Sequence, residues 1–373
     1  MIDSATRRVE AGCDLSLDEV ADLFGLIMEG RVSEDQIARL LLALAEKGET
    51  VAEVAGAALA MRRKMTPIRT SRSVVLDTCG TGGDRSGTFN ISTAAALVTA
   101  AAGVGVAKHG NRAATSRSGS ADVLAALGVN VEAPVARVEA CLEELGICFC
   151  FAPMLHGAMR FVAPVRKRLG RPTIFNLLGP LANPAGAPFQ LVGVGRAELR
   201  PLMAEALTLL GTRRAIVVHG GDGLDEVTLG GPTHVTETAA ARPGAPLSPD
   251  QPSVGARRGV GGEGVEENSS ESLRHFDWAP ADFGLPECER SALLVSGPEE
   301  SAAVIRGILS GAAGPARDIT LANAAAALWT AGAAQSVADG VRRAAESIDS
   351  GTAAALLARL VERTRSPLPP GEG

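Results

Sequence analysis

Residues 74–106, with the sequence VVLDTCGTGGDRSGTFNISTAAALVTAAAGVGV, contain a β-branched run, a glycine-rich loop, an alanine-rich segment and a second β-branched run. β-Branched runs are typical of strands, and alanine-rich segments are typical of helices. This order predicts strands at 74–76 and 104–106, with a helix through residues 94–102 between them. Because a strand, a helix and a second strand form a βα unit, the segment favours a mostly parallel sheet.

The same alternation continues toward the C-terminus. A loop at 108–118 follows the second strand and leads into a helix through 123–127, and later strands are predicted at 148–151 and 216–218. In open α/β sheets, ligands bind at the carboxyl ends of the strands. We therefore expect the loops that follow these strands to line one crevice.

The segment before the sheet, residues 14–66, is predicted to be a run of short helices. Three capping-box patterns begin apolar stripes that have helical spacing. The paired residues are Ser16 and Glu19, Ser33 and Gln36, and Thr50 and Glu53. The sequence therefore predicts an α/β protein with a small all-helical N-terminal domain and a larger α/β domain, in which helices flank a central, mostly parallel sheet.

The composition limits the classes of function. The chain has 373 residues, and its 46% hydrophobic content excludes wholesale disorder. Because 36 Lys and Arg stand against 42 Asp and Glu, the net charge of −6 gives no overall field for binding nucleic acid or an anionic membrane. The sequence shows neither a signal peptide nor a run of 18 strongly apolar residues. We expect a cytoplasmic protein.

Two segments differ in composition from the rest. Residues 241–270 contain 4 Pro, 6 Gly and 4 Ser and no aromatic residue, which predicts a disordered surface insertion. Residues 366–373, SPLPPGEG, predict a flexible tail.

The loop Cys79–Asp84, CGTGGD, lies between the first predicted strand and its helix. There, glycines let backbone N–H groups turn toward an anion, and the helix N-terminus adds partial positive charge. The loop fits neither a Walker loop nor a dinucleotide fingerprint, because no Lys follows Gly87 and Arg85 occupies the place of the third glycine. Downstream, the segment Thr88–Thr93 adds four hydrogen-bonding side chains, more than an N-cap needs. The pattern favours a phosphate site over a merely tight turn.

The loop after the second strand carries three cations, Lys108, Arg112 and Arg117, together with several hydroxyl groups. A solvated surface loop is the alternative interpretation. Its position at a strand end favours binding of an anion in the same crevice as the glycine-rich loop.

Adjacent carboxylates at Asp225 and Glu226 follow the strand at 216–218. On an extended segment, neighbouring side chains point apart, which disfavours a conventional acid/base pair. Near bound phosphates the two carboxylates could hold Mg²⁺, although an ordinary exposed acidic pair is the simpler interpretation.

The basic triplet 166–168 could likewise be solvated surface, or Arg166 could pair with a carboxylate substrate. With no zinc spacing and no nucleophile elbow, the sequence favours metal-assisted chemistry on a phosphorylated substrate.

These motifs, taken in order, resemble those of the anthranilate phosphoribosyltransferase family, which belongs to the nucleoside phosphorylase/phosphoribosyltransferase fold. The resemblance extends from the helical start to ANAAAALWTAG at 322–332 and leaves out mainly the insertion and the tail. The segments that carry it are DTCGTGGDRSGTFNIST (77–93), KHGNRAATSRSGSADVLAALG (108–128), PMLHGAMRFVAPVRKRLGRPTIFNLLGPLANPA (153–185) and GLDEVTLGGPTHVTE (223–237).

The resemblance implies two hinged domains. The helical domain would span residues 1–72, completed by helices near 165–190, and the α/β domain would span 73–164 and 191–365. The implied assembly is a homodimer that forms through the helical domain, and we expect no nucleic-acid or membrane partner.

The implied reaction transfers the phosphoribosyl group of 5-phosphoribosyl 1-pyrophosphate to the amine of anthranilate, in tryptophan biosynthesis. Mg²⁺ is the implied cofactor, with two ions per monomer. The residues implied to hold the metal are Ser92, Asp225 and Glu226. Those implied to bind anthranilate are Gly80, Asn111 and Arg166. Those implied to position the substrates, with no certain acid or base among them, are Lys108, His109 and Asn111. The phosphoribosyl pyrophosphate site is implied to contain Gly80, Gly83, Asp84, Thr88, Asn90, Ile91, Ser92, Thr93, Lys108, His109, Gly110, Asn111, Arg112, Ala113, Ala114, Thr115, Ser116 and Ser120.

Three alternatives stay open. A nucleoside phosphorylase of the same fold would require a different phosphate-binding pattern around residues 108–111. A non-catalytic relative that binds nucleic acid would show a basic face and eroded metal residues, whereas Asp225 and Glu226 are present and the net charge is −6. A phosphoribosyltransferase for another aromatic amine would use the same Arg166 pocket.

Overall fold

The computed structural model describes residues 1–84, 86–113, 118–238 and 273–366. Outside these ranges lie several parts of the sequence-based predictions, namely Arg85, Ala114, Thr115, Ser116, Arg117, the insertion at 241–270 and, beyond Ser366, the tail. Within them, every helix is too short or too polar to cross a lipid bilayer.

The N-terminal domain is built from helices, as predicted. It begins with α1 (Ile2–Glu10), α2 (Leu17–Met28), α3 (Glu34–Lys47) and α4 (Val51–Lys64). The three predicted capping boxes are confirmed. The side chains of Ser16, Ser33 and Thr50 each accept a hydrogen bond from the backbone N–H of the residue three positions later. The side chain of that later residue accepts a hydrogen bond from the backbone N–H of the capping residue.

Glu53 does more than cap α4, because its side chain is completely buried. Its Oε2 accepts hydrogen bonds from the Thr50 N–H over 2.9 Å and from Lys47 Nζ over 3.0 Å. Its Oε1 accepts a hydrogen bond from the N–H of Leu15 over 3.0 Å. The carboxylate therefore joins the start of α4 to the loop that precedes α2.

The larger domain is built on a seven-stranded sheet, counted over the described ranges, with the order β3-β2-β1-β4-β5-β6-β7. The strands are β1 (Val75–Asp77), β2 (Gly105–Gly110), β3 (Ile147–Phe151), β4 (Phe189–Gly193), β5 (Arg214–Gly220), β6 (Thr233–Thr238) and β7 (Leu273–Trp278). β1 to β5 pair in parallel, whereas β6 and β7 pair antiparallel to their neighbours. The predicted mostly parallel sheet is therefore confirmed.

Helices flank the sheet and connect its strands. They are α5 (Ile91–Ala101), α6 (Ser120–Leu127), α7 (Val135–Leu145), α8 (Ala152–Leu155), α9 (Ala163–Leu169), α10 (Leu178–Leu181), α11 (Leu199–Leu209), α12 (Pro298–Leu309), α13 (Pro315–Thr330), α14 (Val337–Asp349) and α15 (Thr352–Arg365). Short 3-10 helices lie at Gly157–Phe161, Ile174–Asn176, Pro280–Phe283 and Arg290–Leu293.

The hydrophobic core forms two clusters that share the central strands. Successive residues of a strand point to opposite faces of the sheet. Leu191 and Ile216 accordingly pack in the cluster of the α/β domain. Val192 and Val217 pack on the other face, in the cluster that contains α1 to α4 and apolar residues from 162–182. The helical bundle is therefore completed by a later part of the chain and by one face of the sheet.

Replacing Glu53 with Ala is expected to lower the free energy of unfolding by about 3 kcal/mol, because Lys47 loses a buried partner and two backbone N–H groups lose their acceptor. Urea denaturation followed by circular dichroism measures this change. The matched control is Glu19→Ala, which removes the equivalent capping carboxylate from a partly exposed position on α2 and is expected to cost less. Equal losses in the two variants would contradict the role given to the buried network.

Candidate active site

A cleft of about 950 Å³ lies at the carboxyl ends of β1, β2 and β4, where the strand order reverses around β1. Residues from 78–84, 86–92, 108–113 and 225–226 line it. The prediction that these loops share one crevice is therefore confirmed, as expected at a topological switch point. Residues of α9 and of 172–180 line the opposite wall, so the cleft lies between the sheet and the helical domain.

Three backbone segments meet at the floor of the cleft, and glycine makes this close approach possible. The N–H of Thr81 donates to the carbonyl of Gly193, the last residue of β4, over 2.9 Å. A Cβ atom on Gly193 would lie 1.6 Å from the carbonyl oxygen of Asp225. A Cβ atom on Gly80 would lie 3.0 Å from the Gly193 carbonyl oxygen. Gly83 has a φ of 89°, a conformation that favours glycine. The glycine-rich loop, β4 and the acidic loop are thus fixed against one another.

The N-terminus of α5 opens into the cleft beside the glycine-rich loop. Asn90 caps the helix, since its Oδ1 accepts a hydrogen bond from the N–H of Thr93 over 3.0 Å. The N–H of Ser92 donates to Oε1 of Glu226 over 3.1 Å. The sequence predicted Thr93 to be part of the phosphoribosyl donor site. Its side chain is instead buried and does not line the cleft. The helix terminus therefore presents donors to an anion, and part of that capacity is met by Glu226.

Asp84, Asp225 and Glu226 bring three carboxylates to one side of the cleft. The backbone bends at Asp225 and Glu226, so the two residues do not lie on the extended segment that the sequence analysis expected. Both are half-buried, so the interpretation as an exposed acidic pair is also wrong. Burial, together with the charges of Asp84 and Glu226, raises the pKa of Asp225 well above its usual range. Burial likewise raises the pKa of Glu226 to about 7, against the opposing charge of Lys108.

This group of carboxylates fits a divalent cation. Carboxylate oxygens are the ligands that Mg²⁺ prefers in proteins. The raised pKa values of Asp225 and Glu226 reflect burial and mutual repulsion, and a bound cation relieves that repulsion. The donor set is therefore suited to Mg²⁺.

The structure corrects the placement of Lys108, His109 and Gly110, which belong to β2 and not to the predicted loop. β2 continues to Gly110 because it pairs with β3 to the end of that strand, with Gly110 opposite Phe151. The side chains of Lys108 and His109 are consequently buried, each with 4% exposure, instead of lying in a solvent-accessible loop.

The ammonium group of Lys108 lies at the floor of the cleft. Its Nζ donates to the carbonyl of Thr78 over 2.9 Å and to Oγ of Ser92 over 3.1 Å. It also lies close enough to Glu226 to lower the pKa of that carboxyl. Lys108 therefore joins the end of β1 to the start of α5 and balances part of the acidic charge.

His109 and His156 form a buried imidazole pair beside Lys108. His109 Nδ1 lies 3.0 Å from the carbonyl oxygen of Gly179, so this nitrogen carries the proton. In a neutral His109, Nε2 then accepts from Nε2 of His156, 3.1 Å away. Burial lowers the pKa of His109 to about 4 and that of His156 to about 3. Both rings are therefore neutral near pH 7, and Nδ1 of His156 is a buried acceptor with no donor among the described residues.

Asp77 lies below the cleft, at the end of β1. Ligand atoms of Asp77, Cys79 and His109 approach within 4.8 Å of one another. Asp77 Oδ2 accepts from Nδ2 of Asn183 over 2.7 Å, and its Oδ1 accepts from the N–H of His109 over 3.0 Å. Burial raises the pKa of Asp77 to about 6. Because these carboxylate oxygens and both His109 nitrogens already have partners, the group supports the site as a hydrogen-bonded floor.

Arg166 lies on the opposite wall, on α9, where burial lowers the pKa of its half-buried guanidinium. Its Cζ lies 5.8 Å from the ring centre of Phe175. Its neighbour Arg168 pairs with Asp35, whereas no carboxylate of the described residues lies within salt-bridge distance of Arg166. Arg166 therefore offers an unpaired cation, beside an aromatic ring, to a ligand in the cleft.

Most of the described residues that were predicted for the site do line the cleft. They are Gly80, Gly83, Asp84, Thr88, Asn90, Ile91, Ser92, Lys108, His109, Gly110, Asn111, Arg112, Ala113, Ser120, Arg166, Asp225 and Glu226. The exception is Thr93. His156 and Asn323 also line the cleft. Neither was predicted, because a lone histidine or a lone asparagine inside a longer motif gives no distinguishing signal in the sequence.

Two family models match the chain. The model of the glycosyl transferase family helical bundle domain matches residues 4–65, and that of the glycosyl transferase family α/β domain matches 72–248 and 258–354. The unmatched residues between these last two segments lie inside the predicted insertion at 241–270. The fold and the cleft thus define a two-domain glycosyltransferase.

Similarity to individual proteins identifies the family within this class of glycosyltransferases. Anthranilate phosphoribosyltransferase from Rhodospirillum rubrum is 50% identical over 353 residues, which is 95% of this chain and 93% of the relative. The crystal structure of anthranilate phosphoribosyltransferase from Thermus thermophilus matches with a TM-score of 0.84 and 43% identity, covering 97% of this chain and 99% of that one. The enzyme from Saccharomyces cerevisiae, in complex with PRPP and Mg, matches with a TM-score of 0.82 and 28% identity over 98% of both chains. The chain belongs to the anthranilate phosphoribosyltransferase family.

The buried imidazole pair is expected to make stability depend on pH. Unfolded histidines bind protons below pH 6.5, whereas folded His109 and His156 stay neutral down to about pH 4 and 3. The pair therefore costs no stability above pH 6.5, and the free energy of unfolding falls as the pH drops from 6.5 toward 4. Urea denaturation at several pH values should give a shallower fall for His156→Gln than for the wild type.

The matched control is His275→Gln, which removes an exposed imidazole from β7. The comparison uses the slope of stability against pH, so a uniform loss of stability in a variant does not affect it. Identical slopes for the wild type and His156→Gln would contradict the neutral buried pair.

Proposed function

We propose that the protein transfers the phosphoribosyl group of 5-phosphoribosyl 1-pyrophosphate to the amine of anthranilate and releases pyrophosphate. The observation that carries this proposal is the pairing of two unlike walls across one cleft. One wall has the glycine-rich loop, the α5 N-terminus and the carboxylates, which suit a metal-bound diphosphate. The other has Arg166, an unpaired cation that suits a carboxylate. The names of the relatives support the same reaction.

The donor side of the site would hold the phosphoribosyl pyrophosphate. We assign it to the glycine-rich loop, to Thr88 and the segment 90–93, and to residues 108–116 with Ser120. Backbone N–H groups and hydroxyls of these segments bind phosphate oxygens, and Lys108 and Arg112 add positive charge. The buried Thr93 contributes to this set through its backbone, which anchors the Asn90 cap.

Mg²⁺ is the proposed cofactor, with two ions per monomer held by Ser92, Asp225 and Glu226. When bound, the cation supplies charge neutralisation to the leaving pyrophosphate. The S. cerevisiae relative in complex with PRPP and Mg supports this assignment. In this chain, the carboxylate of Glu226 already lies beside the α5 N-terminus, and Asp225 lies near both Glu226 and Asp84.

The acceptor side would bind anthranilate between Gly80, Asn111 and Arg166. Arg166 pairs with the carboxylate of anthranilate, and Gly80 lies beside the ring. The amine then faces the ribose C1 of the donor. Its lone pair forms the new C1–N bond as the C1–O bond to pyrophosphate breaks, and the amine then releases a proton.

An aromatic amine is already a free base near pH 7, so this step needs positioning more than a strong base. Neutral His109 and His156 fit that requirement, because their lowered pKa values keep positive charge away from the amine. Lys108, His109 and Asn111 position the substrates in this proposal, and no general acid or base is assigned.

We also propose that the protein is a cytoplasmic homodimer that associates through its helical domain. The domain boundaries proposed are 1–72 for the helical domain, completed near 165–190, and 73–164 with 191–365 for the α/β domain. The apolar residues from 162–182 that pack with α1 to α4 support the completion of the helical domain by the later segment.

The purified protein is expected to consume anthranilate when phosphoribosyl pyrophosphate and Mg²⁺ are present, and EDTA is expected to stop the reaction. The double variant Asp225→Asn/Glu226→Gln should lower the rate at least about 100-fold, because it removes the charges that hold the cation. Loss of anthranilate fluorescence measures the rate.

The matched control is Glu287→Gln/Glu289→Gln, which removes two exposed carboxylates and should keep the wild-type rate. An active Asp225→Asn/Glu226→Gln variant would reject the metal role. If the folded wild-type protein showed no turnover, the result would favour another aromatic amine as acceptor or a non-catalytic relative.

Replacing Arg166 with Ala is expected to raise the KM for anthranilate about 10-fold or more, because the carboxylate loses its charged hydrogen-bond donor. The KM for phosphoribosyl pyrophosphate should change by less than about twofold, since the donor occupies the other wall. Steady-state kinetics with each substrate varied in turn measures both values. Lys167→Ala, which removes the exposed neighbouring cation, serves as the control. Equal increases in the two KM values for Arg166→Ala would reject its assignment to the acceptor.

A further inference from the structure

The side-chain amide of Asn323 holds the backbone of Val227 by two hydrogen bonds. Asn323 Oδ1 accepts from the N–H of Val227 over 2.9 Å, and Asn323 Nδ2 donates to the carbonyl of Val227 over 2.8 Å. Nδ2 also donates to the carbonyl of Ile319, one turn earlier on α13, over 2.9 Å. Asn323 is 1% exposed and Val227 is fully buried. The amide is therefore locked to its own helix and to one peptide segment at the same time.

Only a side-chain amide meets this requirement. The clamp needs one acceptor and two donors in one plane, which Asn provides and which a carboxylate or an alkyl group does not. A longer amide, as in Gln, would carry the same groups one methylene farther from α13. The identity of residue 323 is thus set by the backbone that it holds.

The held backbone belongs to the acidic loop, because Val227 directly follows Glu226. The carboxylate of Glu226 is tied separately, through the N–H of Ser92 at the start of α5. The side chain of Glu226 is held by α5, and the adjoining backbone at Val227 is held by α13. These two helices pack against each other. Glu226 is consequently fixed at its backbone and at its side chain.

The acidic loop requires such a restraint. Asp225 and Glu226 are adjacent, and both lie near Asp84. Like charges in a half-buried site repel one another, so a loop without a restraint on its backbone would spread. A loop that has spread must be drawn together again when a cation binds, and that cost lowers the affinity for the ion.

We propose that Asn323 is a positioning residue for the metal, holding the segment 225–227 so that Asp225 and Glu226 present their oxygens together to Mg²⁺. This inference rests on the proposed function, in which these two carboxylates hold the ion. Asn323 acts through Val227.

The test is a Mg²⁺ titration of Asn323→Ala, read in two ways. One readout is the initial rate at saturating substrates, and the other is the rise in Tm caused by Mg²⁺ in the presence of saturating phosphoribosyl pyrophosphate. The Mg²⁺ concentration that gives half of each effect should rise about 10-fold. The KM for anthranilate should stay at the wild-type value, because Arg166 and its wall are untouched.

The matched control is Thr320→Ala on the same helix. Thr320 is also buried, but its hydroxyl donates to the carbonyl of Ala316 within α13. This variant should keep the wild-type Mg²⁺ dependence even where it lowers stability. A shift in Asn323→Ala alone therefore supports positioning, whereas equal titrations for the two variants overturn it.

Two further variants keep the result decisive. If Asn323→Ala does not fold, Asn323→Gln is titrated in its place and judged by the same criterion. Glu226→Gln separates this inference from the proposed function. If Glu226→Gln shifts the Mg²⁺ dependence and the Asn323 variant does not, the positioning role is wrong. If Glu226→Gln also leaves the dependence unchanged, the metal assignment is wrong and the inference is overturned with it.

Discussion

The close packing of three backbone segments around Gly193 determines the geometry of the cleft. The hydrogen bond from Thr81 to the Gly193 carbonyl fixes the glycine-rich loop to the end of β4, and the space beside Gly193 is filled by the carbonyl of Asp225. Any side chain at residue 193 would separate the glycine-rich loop and β4 from the acidic loop. The strand reversal around β1 creates the crevice, and the absence of a side chain at residue 193 lets the glycine-rich loop and the acidic loop approach each other there.

The charges of the cleft follow from the same arrangement. The carboxylates collect where the acidic loop meets the α5 N-terminus, and Lys108 supplies a buried counter-charge from β2. The imidazoles next to Lys108 are kept neutral by burial. The guanidinium of Arg166 stands on the other wall, supplied by α9, which packs with the helical bundle. The two walls thus come from different parts of the chain and differ in charge.

Local patterns in the sequence were sufficient to predict the elements and the place of the site. The capping boxes of α2 to α4 depend on residues three positions apart, and the βα unit at 74–106 depends on contiguous runs, so both are visible without tertiary information. The sequence did not indicate that β2 extends through Lys108 and His109, because that extension depends on pairing with β3, some forty residues later. It also did not indicate the bend at Asp225, whose carbonyl lies against Gly193, or the pairing of His109 with His156, because both involve contacts between distant parts of the chain.

The shared core of the helical bundle and the sheet bears on how the chain is assembled during synthesis. Helices α1 to α4 leave the ribosome first, yet the apolar side chains that complete their core come from 162–182 and from strands β4 and β5. More than a hundred residues of later sequence, which contain the glycine-rich loop and β2, must therefore be made before the first helices can bury their apolar faces. During that interval the nascent bundle exposes hydrophobic surface, a condition under which incompletely folded chains are prone to aggregate.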